Sequence, residues 1–332
     1  MSGDSANGTR SVPARLRCLS LHADDFGMNP AVNAGIVRGF RQGLLTSTSV
    51  LSNAPDAARA LNDWQMLEDE RAAGRLPSSE TRKSLGDPDQ PFDVGVHLNL
   101  TQGRPLTGSQ FPADLLDAEG RFLGVFSLFA RLWRHGARFR EPICAELEQQ
   151  IQFVCDHGQR PTHLNGHQYI EMMPVVAAML PELARRFGIG AVRVACEPKL
   201  FRTTVMHRLQ VLRWPLARVK RHFAEQFRSM IDAQGLGHPD AFFGTAHAGG
   251  IDLPLLERFV ICGEGHRRIE IGLHPGEAAL ECGDKSSRSQ LDGWHDPLAA
   301  HRPRELAMLV SSELPTCVGR LGWRLGRIGV RA

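Results

Sequence analysis

Four short stretches of this sequence carry residues able to do chemistry together. They are Asp24-Asp25 within Leu19 to Gly27, His97 in Asp93-Val-Gly-Val-His-Leu-Asn-Leu, His163, Asn165 and His167 in Pro161-Thr-His-Leu-Asn-Gly-His, and His274 in Ile269-Glu-Ile-Gly-Leu-His-Pro-Gly. Adjacent carboxylates raise each other's pKa unless a cation or hydrogen bonds compensate. A lone Asp-Asp pair has the plainer use of capping the next helix, and a lone strand histidine is most often a hydrogen-bonded core residue. Taken together, the four stretches suit a divalent metal. Two imidazoles and a carboxylate hold one side of such an ion and leave positions open for water and substrate. The ion polarises a carbonyl and lowers the pKa of its bound water. A spare carboxylate then accepts the water's proton, and a second group protonates the leaving group. Asp24 and His274 are free for those two tasks.

The elements that position these residues are legible as an alternation. Strands are expected at Leu16 to His22, Leu45 to Leu51, Asp93 to Leu98, Pro161 to Asn165, Ala191 to Ala195, Ala241 to Thr245 and Arg268 to His274, with helical patterns between most of them. Pro30 to Gln42 is an amphipathic helix opened by Asn29-Pro30 and stopped at Gly43, and Pro142 to His157 is another. Pro174 to Phe187 repeats the pattern with a kink or break expected at Pro181. Such steps imply a parallel sheet, and in a β/α barrel the loops after the strands share one face. Asp24, Asp25, His97, His163, His167 and His274 all fall at expected strand C-termini.

Composition bounds the rest. The 332 residues, 42% of them hydrophobic, are enough for one α/β barrel or two smaller domains. The net charge of +3 does not point to nucleic acid, although residues 199–228 hold 8 Lys or Arg against 1 acidic residue, which leaves −4 elsewhere. Seven cysteines without a Cys-x-x-Cys pair argue against a disulfide framework or a zinc knuckle and suit reduced thiols in the cytoplasm. Neither a signal peptide nor an apolar run of membrane-spanning length is visible. Residues 1–15 read as a disordered tail, 16–332 as a single catalytic domain, and 64–92 as holding a surface insertion.

The motifs resemble a known family. Ala-Asp-Asp-Phe-Gly, Thr-Ser-Thr, Gly-Val-His-Leu-Asn-Leu-Thr-Gln-Gly-Arg-Pro-Leu, Pro-Thr-His-Leu-Asn-Gly-His-Gln and a late His-Pro-Gly, in that order, are similar to the YdjC-type carbohydrate deacetylases, the group of chitooligosaccharide and hopanoid-biosynthesis deacetylases. Leu314 to Gly326 also resembles the family's C-terminal helix and ending. The resemblance implies an α/β fold of the polysaccharide-deacetylase kind, a distorted (β/α) barrel of about seven parallel strands. It implies one divalent ion, Mg2+ ahead of Zn2+ or Mn2+, held by Asp25, His97 and His167, with His163 as the alternative to His167. It makes Asp24 the expected general base and His274 the expected acid. His163 and Asn165 would then sit behind the ligands or touch substrate. Arg193, at the expected end of the fifth strand, is read on its own position as an ordinary ion-pair partner or as a residue that orients Asp24 or binds sugar.

The sequence departs from that family's pattern at three places. His22 stands where Asn is usual before Ala-Asp-Asp, Tyr169-Ile170-Glu171 replaces His-x-His after Gln168, and Leu273 replaces a Cys. The implied substrate is an N-acetylated amino sugar, on an oligosaccharide or on a glycolipid such as a glycosylated hopanoid. The same ion would serve another amide or a phosphoester, and a barrel that binds sugar without turnover is the non-enzymatic rival. The basic, apolar segment near 199–228 is read as an outer helix pair or as a face for anionic membranes on the cytoplasmic side. The partner reading excludes nucleic acid and leaves a homodimer open.

Overall fold

The computed structural model describes residues 17–87, 91–198, 214–278 and 293–328, with backbone alone for 214–221. The tail assigned to 1–15 and the first half of the basic segment lie outside these residues. Among the described residues eight strands form one sheet: β1 (Cys18–Phe26), β2 (Ser47–Val50), β3 (Asp93–Leu98), β4 (His163–Gly166), β5 (Ala191–Val192), β6 (Ala241–Phe243), β7 (Arg268–Leu273) and β8 (Arg324–Leu325). Their order is β5-β4-β3-β2-β1-β7-β6, every pairing is parallel, and β8 joins the lower end of β1 at Cys18 and Leu19. The curled sheet is a distorted, open barrel. Among the described residues β5 and β6 are not paired as strands; a bridge from Ala191 to Gly237 and the Phe242 N–H donating to the Cys196 carbonyl reach across that gap.

Period-two alternation in β1 decides what each side of the sheet is made of. Leu19, Leu21 and Ala23 are fully buried in the apolar core beneath the helices, whereas Ser20, His22 and Asp24 face the barrel interior. Neighbouring strands add Ser47, Ser49, His97, His163, Asn165 and Glu270 to that interior, all buried. Barrels of this type are commonly filled by branched apolar side chains, so a polar filling must be hydrogen-bonded throughout to be tolerated. His22 does much of this, with Nδ1 2.8 Å from Ser47 Oγ and Nε2 3.1 Å from Ser49 Oγ.

The helices follow their expected signals closely. Pro30–Arg41 opens on Asn29, whose side chain accepts the Val32 N–H, so the next helix has its own cap and does not need Asp24 or Asp25 for it. The Pro174 segment breaks into Pro174–Ala177 and Leu180–Arg186, as Pro181 dictates by withholding an N–H. The 64–92 stretch holds more than surface. Trp64, Leu67, Leu76 and Leu85 enter the core, and buried Arg82 donates to the carbonyls of Phe40, Gly43 and Leu45 at the end of Pro30–Arg41.

Candidate metal centre

Adjacent residues on a strand normally point to opposite faces, so Asp24 and Asp25 should not meet in one site. A break in the β1–β2 register between Ala23 and Phe26 changes this. Asp25 takes a left-handed backbone, φ 69°, and the turn closes with Met28 N–H donating to the Asp25 carbonyl and Gly27 at φ 100°. Bulges of this kind re-aim side chains beside active sites, and Asp tolerates the left-handed region better than most residues. Both carboxylates now face the interior.

Asp25 Oδ1 lies 3.0 Å from His167 Nδ1 and 3.4 Å from His97 Nε2, and the three donor atoms fall within 4.8 Å of one another. The other oxygen is taken by Arg302, whose Nη2 is 2.8 Å from Oδ2. Burial would raise the Asp25 pKa, but Arg302 and the two histidines outweigh it and hold the carboxyl well below its usual range. The residues fit a divalent ion in their supporting contacts too. His97 Nδ1 is 2.8 Å from Asn165 Oδ1, which fixes the proton on Nδ1 and turns the Nε2 lone pair towards Asp25. Lone pair facing carboxylate is repulsive without a proton or cation between them. His167 Nε2 accepts from Gln102 Nε2 at 3.0 Å, because the Gln102 oxygen takes the His295 N–H at 3.0 Å; the His167 proton is then on Nδ1, facing Asp25 Oδ1, and is the proton that a bound ion would displace.

Asp24 has a different set of partners. Arg193 Nη1 is 2.8 Å from its Oδ2, Asn165 Nδ2 3.2 Å from its Oδ1, and His22 Nε2 3.1 Å from the same oxygen. Burial pushes its pKa up, yet Arg193 and His97 outweigh burial and keep it well below the carboxylate range. Arg193 is completely buried, its Nε 2.7 Å from Glu270 Oε1 and its guanidinium 4.9 Å above the Phe242 ring. Burial moves Glu270 up to about 7 despite Arg193. His274 Nε2 stands 3.8 Å from Asp24 Oδ2, and its backbone N–H donates to Glu305 at 2.6 Å.

Most residues singled out by type and spacing therefore converge: Asp24, Asp25, His97, Asn165, His167, Arg193, His22 and His274. His163 does not join the ligands. It begins β4 rather than ending it, its Nδ1 meets Thr162 Oγ1 at 3.0 Å, and its Nε2 sits where a Cβ on Gly95 would come within 2.4 Å. His163 packs edge-on to His22 with ring centroids 5.0 Å apart. Burial takes His22 down to about 3 and His163 well below 6.5, so both are neutral. His22 is thus a neutral, hydrogen-bonding residue that touches Asp24 from below.

Sequence reasoning missed Arg302, Gln102 and Glu270. Gln102 was visible inside Leu-Thr-Gln-Gly-Arg and Glu270 inside the β7 motif, but Arg302 has no spacing signal. It opens the helix Arg302–Leu309, where a cation opposes the helix dipole, and only Asp25 and Asp296, each within 3 Å, account for it there.

Several known proteins are similar to this chain. A carbohydrate deacetylase of Clostridium beijerinckii is 30% identical over 52% of this chain and 58% of its own length. A mouse carbohydrate deacetylase is 32% identical over 54% of this chain and 51% of its own. The chain thus spans little more than half the length of these two relatives. A chitooligosaccharide deacetylase of Yersinia pestis is 28% identical over 93% of this chain and 97% of its own. The fold is shared with a crystal structure of a candidate cellobiose-phosphate cleavage protein from Enterococcus faecalis, at TM-score 0.61 and 20% identity, over 94% of this chain and 98% of that one. The YdjC-like protein model matches residues 18–319, and this chain belongs to that family.

Proposed function

We propose that this chain is a metal-dependent hydrolase that removes the N-acetyl group from an N-acetylated amino sugar, carried on an oligosaccharide or a glycolipid. The observation that supports it most is the division of labour between neighbours: Asp25 turns to two imidazoles, while Asp24 turns to Arg193 and His274. Asp25, His97 and His167 would hold a divalent ion, which when bound would supply polarisation of the acetyl carbonyl and a more acidic water. Arg193 keeps Asp24 ionised at neutral pH, ready to accept the attacking water's proton. A carboxylate with so low a pKa is a weak base, so the acidity of that water matters. As the C–N bond breaks and acetate forms, His274, across from Asp24, supplies the proton that the departing amine needs. Arg302 occupies the outer oxygen of Asp25 and leaves Oδ1 for the triad.

Two imidazoles and one carboxylate suit zinc or manganese as donors at least as well as the magnesium expected from resemblance; metal analysis of the purified protein names the ion. The basic composition of segment 199–228 supports the glycolipid form of the substrate and a peripheral location, and cysteines without a disulfide framework support the cytoplasm. Mass spectrometry after incubation with N-acetylated chitooligosaccharides should show loss of one acetyl group, abolished by chelation and restored by the ion. Asp24→Asn should lose about 100-fold or more in kcat while keeping its metal. Phosphate release from a phosphoester without acetate release, or full turnover by Asp24→Asn, would overturn the reading.

A further inference from the structure

The helix Val125–His135 carries two apolar stripes where a surface helix needs one. Leu128 and Leu132 are buried against the core, whereas Phe126 and Trp133, seven residues apart and so on one face, are 76% and 67% exposed. Phe129 stacks on Trp133 at 5.9 Å, and Phe223 of the helix Trp214–Ala233 meets both rings edge-on at 6.0 and 6.3 Å. An aromatic ridge therefore runs across two helices. Beside it lies a groove of about 640 Å3 walled by Phe129, Trp133, His135, Arg138, Met173 and Val175.

Charge narrows the choice of what covers this ridge. Residues 121–140 contain no Asp, Glu, Asn or Gln, and Arg131, Arg134, Arg138 and Arg140 are exposed. Arg131 donates to the Asp114 carbonyl and Arg138 pairs with the Asp114 carboxylate at 3.0 Å. A platform for sugar would set carboxylate or amide groups beside the rings to bind hydroxyls; the helix that carries the exposed Phe126 and Trp133 has none, and Glu225 and Gln226 stand on the other helix beside Phe223. A second copy docking through the same face would bring like arginines together. Exposed aromatics flanked by arginines are what an interfacial helix offers a bilayer, rings at the acyl boundary and guanidinium groups on lipid phosphates.

We propose that this face docks on an anionic lipid bilayer, with Phe126 and Trp133 entering the headgroup boundary. The inference goes beyond the chemistry of the metal centre and does not depend on it.

The test is co-sedimentation of the full chain with phosphatidylcholine vesicles, with and without phosphatidylglycerol, at low and high salt. Binding is expected only with phosphatidylglycerol and should weaken with salt. Phe126→Ala/Trp133→Ala should lower the partition coefficient by about tenfold or more with the fold kept and the melting temperature lowered by no more than a few degrees, since Phe126 and Trp133 are largely exposed and only the contacts of Trp133 with Phe129 and Phe223 are lost. No binding by the wild type at low salt, or equal binding by the double variant, overturns the proposal. So does a double variant whose only change is lost self-association or a raised KM on a soluble acetylated oligosaccharide, which gives the face to a second copy or to sugar. Vesicle binding needs no turnover, so this result and the deacetylation result fail independently.

Discussion

At the scale of single residues, two neighbouring aspartates are separated in role by which arginine each one meets. Arg302 closes the outer side of Asp25 and Arg193 holds Asp24, so both stay anionic while facing different partners. Asn165 links the two halves, accepting from His97 through Oδ1 and donating to Asp24 through Nδ2. Asn165→Ala should therefore weaken metal affinity by about 10- to 100-fold, measured by competition with a chelator; unchanged affinity would mean that His97 needs no such support. Glu171 is a separate case. It is buried, neither oxygen meets a donor from another described residue, and burial raises its pKa to about 8 from the ordinary 4.5. The folded state keeps this proton where the unfolded chain has released it. The stability Glu171 contributes is complete below pH 4.5, declines as pH rises, and is gone above about 8. The loss is of the order of a few kcal/mol, and Glu171→Gln should remove it. Urea midpoints of the variant at pH 9 should exceed those of the wild type, and parallel pH profiles would contradict the assignment.

At the scale of elements, the site depends on a helix lying very close to a loop. Gly35, in Pro30–Arg41, faces Gly276 just beyond His274, and a Cβ at position 35 would sit 2.4 Å from the Gly276 Cα. Backbone cannot yield as a flexible side chain does, so Gly35→Ala must move the helix or the His274 loop. The expected cost is about 1–3 kcal/mol with a fall in kcat greater than any change in metal content. Retained kcat alongside the stability loss would show that the helix, not the loop, gives way. The bulge in β1 is the other element-scale device. A regular strand would have sent Asp25 to the apolar side with Leu21 and Ala23, and the left-handed turn at Asp25 prevents it.

At the scale of the whole molecule, a sheet open between β5 and β6 is filled with polar groups that support each other from His163 at the base to His274 at the rim. The metal centre completes this filling, since His97 and Asp25 face each other across a short gap. Chelation should lower the melting temperature, and the returned ion should add about 2.7 kcal/mol at a hundredfold excess over Kd; a melting curve indifferent to metal would remove the ion from the structure's support. Strands, helices and most of the site were legible in the sequence because each rests on local periodicity, or on a motif at a strand end, where parallel topology alone brings residues together. Strand ends pick out the Asp pair, His97, His163, His167 and His274 as candidates, and the family resemblance divides the roles among them. β8, two residues long, offers no period to read, and Trp64 and Arg82 lie in a stretch whose polarity reads as surface. The sequence by itself determined the chemistry available, namely two carboxylates and several imidazoles at strand ends. Only the tertiary structure decided that the Asp pair shares one side through a bulge, that His163 packs on Gly95 away from the ligands, and that Arg302 guards Asp25. Those outcomes depend on register and on contacts between residues as far apart as Asp25 and Arg302, and no local pattern encodes such contacts.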